Sequence, residues 1–309
     1  MTHLPGRKRG RILSRAVTAA IAATLIGTAA GTASAAPATD PTAAKVAESG
    51  APQAAPRATA FSPSASAPSF PLRAVDDIGW VWEYEPNGRG NFKDREWYGW
   101  DWDGVSAAVP VDKDQDGRPD GDYLRGYDGK LLFFPAGNKA KQEIGPGWNT
   151  YDRIFSPGDL GGADGADVLA RDKSGVLWRY KVRSDNTLTD RVRVGGGWDQ
   201  FTDIAGLGDL NGDGKPDIVA KDRQGVLWFY KGNSSTKDPF DNRVKVGQGW
   251  NTYNTLIATG DVDRDGQSDL LARDRDGVLW LYKGNGNQRD PFENRTRIGG
   301  GWDQYRLMF

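Results

Sequence analysis

GDVDRDGQSDLLARDRDGVLWLYKGNGNQRDPFENRTRIGGGW, residues 260–302, is the unit from which most of this 309-residue chain is built. An acidic loop with Asp at alternate positions leads into two short runs of strand-forming residues. The second run ends in an aromatic pair, and the unit closes on Gly-Gly-Gly-Trp. Nearly the same string starts at Gly208 (GDLNGDGKPDIVAKDRQGVLWFYKGN), and more diverged copies start at Gly158 and Val111. Self-similarity at a fixed spacing signals a repeat architecture, so the fold is read from the repeat.

Aligning the aromatic pairs gives Trp82/Tyr84, Leu132/Phe134, Trp178/Tyr180, Trp228/Tyr230 and Trp280/Tyr282, and aligning the closing motif gives Trp100, Trp148, Trp198, Trp250 and Trp302. Both series have five members, 46 to 52 residues apart. That period, with several short strands per unit and no helical periodicity, predicts propeller blades. In the last unit strands are expected at 254–259, 270–273, 278–283 and 295–298, with turns at Arg275-Asp276-Gly277 and Gly284-Asn285-Gly286. The expected fold is all-β, a five-bladed propeller of four-stranded antiparallel blades, with units at 70–110, 111–157, 158–207, 208–259 and 260–309. The first unit begins at its second strand, because residues 71–82 align with 269–280, while QYRLMF at 304–309 is a first strand with no blade after it. The ring is therefore expected to close by pairing Arg306 to Phe309 with the strand near Leu72 to Val75, which leaves no sheet edge open.

The loop at Asp261 places Asp263, Asp265 and Asp269 at its third, fifth and ninth positions and Gly266 at the sixth. Asp112, Asp114, Asp116 and Asp120 repeat it, as do Asp209, Asn211, Asp213 and Asp217. Hard oxygen ligands at alternate positions around a glycine are what Ca²⁺ requires, with the seventh residue (Arg118, Lys215 or Gln267) giving its backbone carbonyl. The loops lack the Glu at position twelve of an EF-hand and run into a strand. At Asp159 the pattern is degraded, since Gly161 and Ala163 replace two ligands and leave Asp159, Asp164 and Asp167. Three Ca²⁺ sites and a fourth, degenerate one are expected, with a structural role.

The N-terminal residues read differently. A basic start (Arg7, Lys8, Arg9, Arg11, Arg15), a short apolar stretch from Ala16 to Gly31 and Ala33-Ser34-Ala35 describe a secretory signal peptide over 1–35, cleaved near Ala35. That stretch is too short and too rich in Ala, Thr and Gly for a membrane span. Residues 36–69, made mostly of Ala, Pro, Ser and Thr, read as a disordered linker or a propeptide. Beyond residue 35 the chain keeps 35 Lys and Arg against 41 Asp and Glu, a mildly acidic balance that does not suit nucleic acid. It has no Cys, and its single His is His3. A Ser-His-Asp triad, a Cys nucleophile and a His-ligated zinc are thereby excluded downstream of the signal.

The Asp-x-Asp-x-Asp-Gly loop followed by a strand, in copies of about fifty residues, resembles the FG-GAP or VCBS repeats of integrin-type and bacterial secreted propellers. That resemblance implies a calcium-bearing propeller. The closing portions VGGGWDQF (194–201), VGQGWNTY (246–253) and IGGGWDQY (298–305), with GVLW at 225–228 and 277–280, are also similar to tachylectin, a five-bladed lectin. Related propellers bind sugars or proteins or flank catalytic domains, so neither resemblance names a ligand.

The function expected is that of a secreted, monomeric, non-catalytic module that binds a glycan or cell-wall polysaccharide through several similar clefts. Trp178, Trp228 and Trp280, each beside a glycine turn, are the expected ligand-binding aromatics, with Leu132 marking the weakest cleft. The rival reading is a module that binds a secreted protein. A glycosidase needs only two carboxylates, but no acidic pair stands outside the repeat.

Overall fold

The computed structural model describes residues 67–137, 140–161 and 165–309, so the expectations for 1–35 and for most of 36–69 lie outside the described residues. Among the described residues twenty strands form five sheets of four. Blade 1 holds β1 (Leu72–Asp76), β2 (Val81–Tyr84) and β3 (Glu96–Gly99). Blade 2 holds β4 (Val105–Val111), β5 (Gly121–Gly126), β6 (Leu131–Pro135) and β7 (Gln142–Gly145). Blade 3 holds β8 (Tyr151–Gly158), β9 (Asp167–Asp172), β10 (Leu177–Lys181) and β11 (Val192–Gly195). Blade 4 holds β12 (Phe201–Ala205), β13 (Ile218–Asp222), β14 (Leu227–Tyr230) and β15 (Val244–Gly247). Blade 5 holds β16 (Tyr253–Gly260), β17 (Asp269–Asp274), β18 (Leu279–Tyr282) and β19 (Thr296–Gly299), and the last strand, β20 (Tyr305–Met308), returns to blade 1.

The sheet order β20-β1-β2-β3 realises the expected closure. Ala74 pairs with Met308 and Val75 with Leu307, and Arg73 and Phe309 exchange backbone hydrogen bonds of 2.9 and 3.0 Å. Each sheet begins one strand before the acidic loop, so the blades are offset by a strand from repeat units counted at the loops. The second strands are buried on both faces, as in Leu270, Leu271 and Ala272, because each blade is packed between two others. The third strands alternate, with Leu279 and Leu281 buried and Trp280 and Tyr282 half-buried, the period of two that a pleated strand imposes. One apolar cluster lies between each adjacent pair of blades. Between blades 5 and 1 it joins Leu271, Leu279 and Leu281 to Leu72, Ala74 and Met308. The first strands line a narrow central channel.

One sequence expectation is corrected. In blade 1 the closing tryptophan is Trp102, which is 2 % exposed, and not Trp100, which is 70 % exposed. Trp102 N donates to Gly79 O, the bond that Trp148, Trp198, Trp250 and Trp302 make to Gly129, Gly175, Gly225 and Gly277. The reason is conformational. Before each of those four tryptophans stands a left-handed glycine (Gly147, Gly197, Gly249, Gly301), and in blade 1 Asp101 takes that conformation at φ 67°. Asp tolerates the left-handed region better than most residues, so the turn survives without its glycine. Pro68 and Ser69 also pair with the ring. Pro68 O accepts Asp261 N at 2.7 Å, Ser69 N donates to Gly117 O at 3.0 Å, and a Cβ at Gly260 would stand 1.8 Å from Pro68 O. Backbone pairing orders this segment although its side chains are poor in apolar bulk. No helix among the described residues is long and apolar enough to cross a membrane.

Candidate functional site

The acidic loops connect the first and second strands of blades 2 to 5. At each complete loop the first Asp folds the chain around itself. Asp261 accepts the N–H groups of Arg264 at 2.6 Å and Gly266 at 2.9 Å, Asp112 accepts Gly117 N at 2.8 Å, and Asp209 accepts Gly212 N at 2.7 Å. This curling brings carboxylate oxygens of Asp112, Asp114 and Asp116 within 4.8 Å of one another, and likewise those of Asp261, Asp263 and Asp265. Asp112 Oδ1 and Asp263 Oδ1 are buried without a hydrogen-bond partner. Burial pushes the Asp112 carboxyl up to about 6, with Asp116 adding repulsion, and raises Asp261 in the same way. A hard divalent cation among such oxygens would favour the charged carboxylates and satisfy the orphaned atoms, so the residues present fit Ca²⁺.

The loop at Asp209 carries Asn211 in place of one carboxylate. Asn211 Nδ2 donates to Asp217 Oδ2 at 2.7 Å, which ties this side chain to the ninth residue. Lys231 pairs with Asp213 at 2.9 Å, as Lys283 does with Asp263 at 2.6 Å. The ninth carboxylates act as loop clamps. Asp269 accepts Val262 N at 2.8 Å and Gly284 N at 2.9 Å, and Asp217 accepts Leu210 N at 3.0 Å and Gly232 N at 2.8 Å. Burial holds both up to about 7. Asp120 makes the shorter version of the clamp, accepting Lys113 N at 2.6 Å. At the seventh position Arg118 is exposed, whereas Lys215 and Gln267 are half-buried.

In the degraded loop, Asp159 accepts Gly161 N at 2.8 Å, while Asp164 lies outside the described residues. Asp167 is fully buried and accepts Leu160 N and Arg179 Nε, each at 2.7 Å. Arg179, 2 % exposed, also donates to Gly161 O and Thr236 O. The sequence reading missed this residue. Its signal was present, because the position between the aromatic pair is Phe133, Phe229 and Leu281 in blades 2, 4 and 5. Blade 3 thus carries its own cation where the repeat has lost acidic groups.

Trp178, Trp228 and Trp280 are half-buried against the inter-blade cores. Each indole N–H donates at 2.8 Å to the Asp that ends the second strand, Asp172, Asp222 or Asp274. Over each ring lies a guanidinium, Arg191 at 4.1 Å, Arg243 at 4.2 Å and Arg295 at 4.1 Å from the centroid. Each guanidinium lies over a face on which a sugar would stack, and the pair forms a cation–π contact that supports the blade. Leu132 faces Glu143 across β6 and β7 and takes no part in such a pair.

Residues 209–272, from the Asp209 loop through most of β17, match the family model of the FG-GAP-like repeat. No curated protein matches the chain. Among solved structures the chain is similar to BBS1N in its complex with ARL6DN, at 11% identity and a TM-score of 0.38, over 74% of this chain and 63% of that one. It is also similar to a triple arginine-to-alanine variant of AofleA from Arthrobotrys oligospora, at 11% identity and a TM-score of 0.47, over 79% of this chain and 76% of that one. The chain thus spans less than two thirds of the BBS1N chain. The repeat match and the five-bladed ring together support an FG-GAP repeat propeller.

Proposed function

We propose that the chain is a secreted, non-catalytic binding propeller in which Ca²⁺ braces the acidic loops and the ring surface holds a cell-wall or extracellular polysaccharide. The observation that carries the calcium reading is the pair of converging trios, Asp112/Asp114/Asp116 and Asp261/Asp263/Asp265, each with a buried oxygen lacking a partner. The Asp209 loop, in which Asn211 replaces one carboxylate and is tied to Asp217, is read as the weakest of the three sites expected from sequence. Arg179 supports the same reading, since a loop short of carboxylates is completed by a fixed cation. Export rests on the composition of residues 1–35. The non-catalytic reading rests on the recurrence of the acidic groups from blade to blade, because chemistry confined to one site would break the repeat.

Calorimetric titration with Ca²⁺ tests the metal. Two strong binding events are expected, one removed by D112N/D114N and the other by D261N/D263N, with a weaker third at the Asp209 loop. Absence of both heat and thermal stabilisation by Ca²⁺ would overturn it. For the ligand, retention on insoluble polysaccharide is expected. Capture of a secreted protein without any glycan binding would favour a protein-interaction module instead.

A further inference from the structure

Blade 1 departs from the repeat at several surface positions, and three of the departures are tryptophan. Trp97 lies opposite Trp82 across β2 and β3, and at the same register the other blades carry Glu143, Arg193, Lys245 and Arg297. Trp80, whose carbonyl accepts Asp76 N at the hairpin turn, takes the place of Lys130, Val176, Val226 and Val278. Trp100 stands in the closing turn where the others have Pro146, Gly196, Gln248 and Gly300. The fold therefore asks for no aromatic at any of these positions.

Nor does the core claim them. Trp80, Trp97 and Trp100 are 45 %, 58 % and 70 % exposed, and Ile78 beside them is 67 % exposed. Together with Asp101, Asp103 and Lys141 they line one open groove of about 800 Å³, well inside the range of ligand sites. A contiguous patch of exposed aromatics is costly to hydrate and marks an interaction site. The conformation of Asp101, left-handed without glycine, is part of the turn that presents Trp100.

The polar groups of the groove choose the occupant. Asp101, Asp103 and Lys141 are exposed; neither carboxylate makes a hydrogen bond or ion pair with any described residue, and Lys141 Nζ lies 5.7 Å from the centre of the Phe134 ring. The interior of a bilayer would desolvate these charges without pairing them. A sugar chain brings hydroxyls that can pair with them, apolar C–H faces that lie on indole rings, and bridging water. The two carboxylates disfavour an acidic ligand. We propose that this groove binds a neutral polysaccharide, with Trp97 and Trp100 as stacking platforms and Asp101 and Asp103 as hydroxyl acceptors. The proposal rests on the polysaccharide reading above and moves the ligand from the repeated tryptophans to blade 1.

Sedimentation of the full chain with insoluble cellulose and with chitin, in calcium-containing buffer, tests it against the double variant W97R/W100G, which writes into blade 1 the residues blades 3 and 5 use. The parent is expected to be retained on at least one of the two, and the variant to bind at least tenfold more weakly with an unchanged melting temperature. If the double variant melts lower, Trp97→Lys, which copies blade 4, carries the comparison. Equal retention of parent and variants would overturn the groove while leaving the polysaccharide reading intact. A parent retained by neither polymer would overturn both. Tryptophan-dependent sedimentation with phosphatidylcholine vesicles, without retention on either polymer, would reassign the groove to a membrane.

Discussion

Arg306, in the last strand of the chain, donates to the main-chain carbonyl of Trp102, 204 residues earlier, and to that of Val105 at 2.7 Å. The same acceptors are used around the ring. Arg171 donates to Trp198 O at 2.9 Å and Phe201 O at 2.6 Å, Arg273 to Trp302 O at 2.9 Å and Tyr305 O at 2.8 Å, and Lys221 to Tyr253 O at 2.7 Å, while Arg125 reaches Tyr151 O. Those cations sit on the second strand of one blade and reach the start of the next. In blade 1 that register holds Val75, opposite Val81 as Arg273 is opposite Leu279. The closing strand therefore supplies both the missing edge and the missing cation.

Arg306→Ala is expected to cost about 1.5–3 kcal/mol, the range for hydrogen bonds from a charged donor. Deleting residues 304–309 is expected to abolish cooperative unfolding and promote aggregation, since it opens a sheet edge and strips Met308 and Phe309 from two inter-blade cores. Urea unfolding beside the parent measures both. A deletion variant as stable as the parent would contradict the clasp.

Trp102 and Trp100 are expected to behave oppositely. Trp102→Ala, which empties a buried site stacked on Phe309 with centroids 5.8 Å apart, is expected to cost about 3–5 kcal/mol. Trp100→Ala is expected to change stability by less than about 0.5 kcal/mol. The reverse order in thermal melts would restore Trp100 as the closing residue.

Arg179→Leu, copying Leu281, is expected to lose about 3–5 kcal/mol, because it leaves Asp167 buried without its counter-ion. Adding Asp167→Asn should recover part of that loss. A double-mutant cycle with no coupling between the two positions would show that Arg179 does not balance the loop charge.

Chelation is expected to lower the melting temperature. At tenfold excess over Kd each calcium site adds roughly 1.4 kcal/mol by mass action, so two sites contribute about 3 kcal/mol. Asp261→Asn is expected to remove about half of the calcium-dependent shift, and the Asp209 loop to contribute little. Melting curves that superimpose with and without chelator would contradict the assignment.

Trp228→Ala is expected to destabilise by about 3 kcal/mol through loss of core packing, of the bond to Asp222 and of the Arg243 stack. Its folded fraction should still bind polysaccharide as the parent does. Loss of binding without loss of stability would return the ligand site to the repeated tryptophans.

Blade number, strand order, the acidic loops and the clasp were legible in the sequence, because period-two burial, turn glycines and alternate carboxylates are local patterns that recur every fifty residues. The arithmetic of one missing and one surplus strand identified β20 as the partner of β1 without any contact being known. Tertiary structure alone decided the rest. The choice of Trp102 over Trp100 depends on whether Asp101 adopts a left-handed backbone, which residue spacing does not encode. The turning of Asn211 toward Asp217 depends on hydrogen bonds made after the loop has folded. The stacking of Arg191, Arg243 and Arg295 over Trp178, Trp228 and Trp280 requires the third and fourth strands to be in register. The replacement of Val75 by Arg306 links positions that become neighbours only when the ring closes. Repetition writes local geometry into a sequence many times over, but an exception to the repeat acquires meaning only from neighbours distant in the chain.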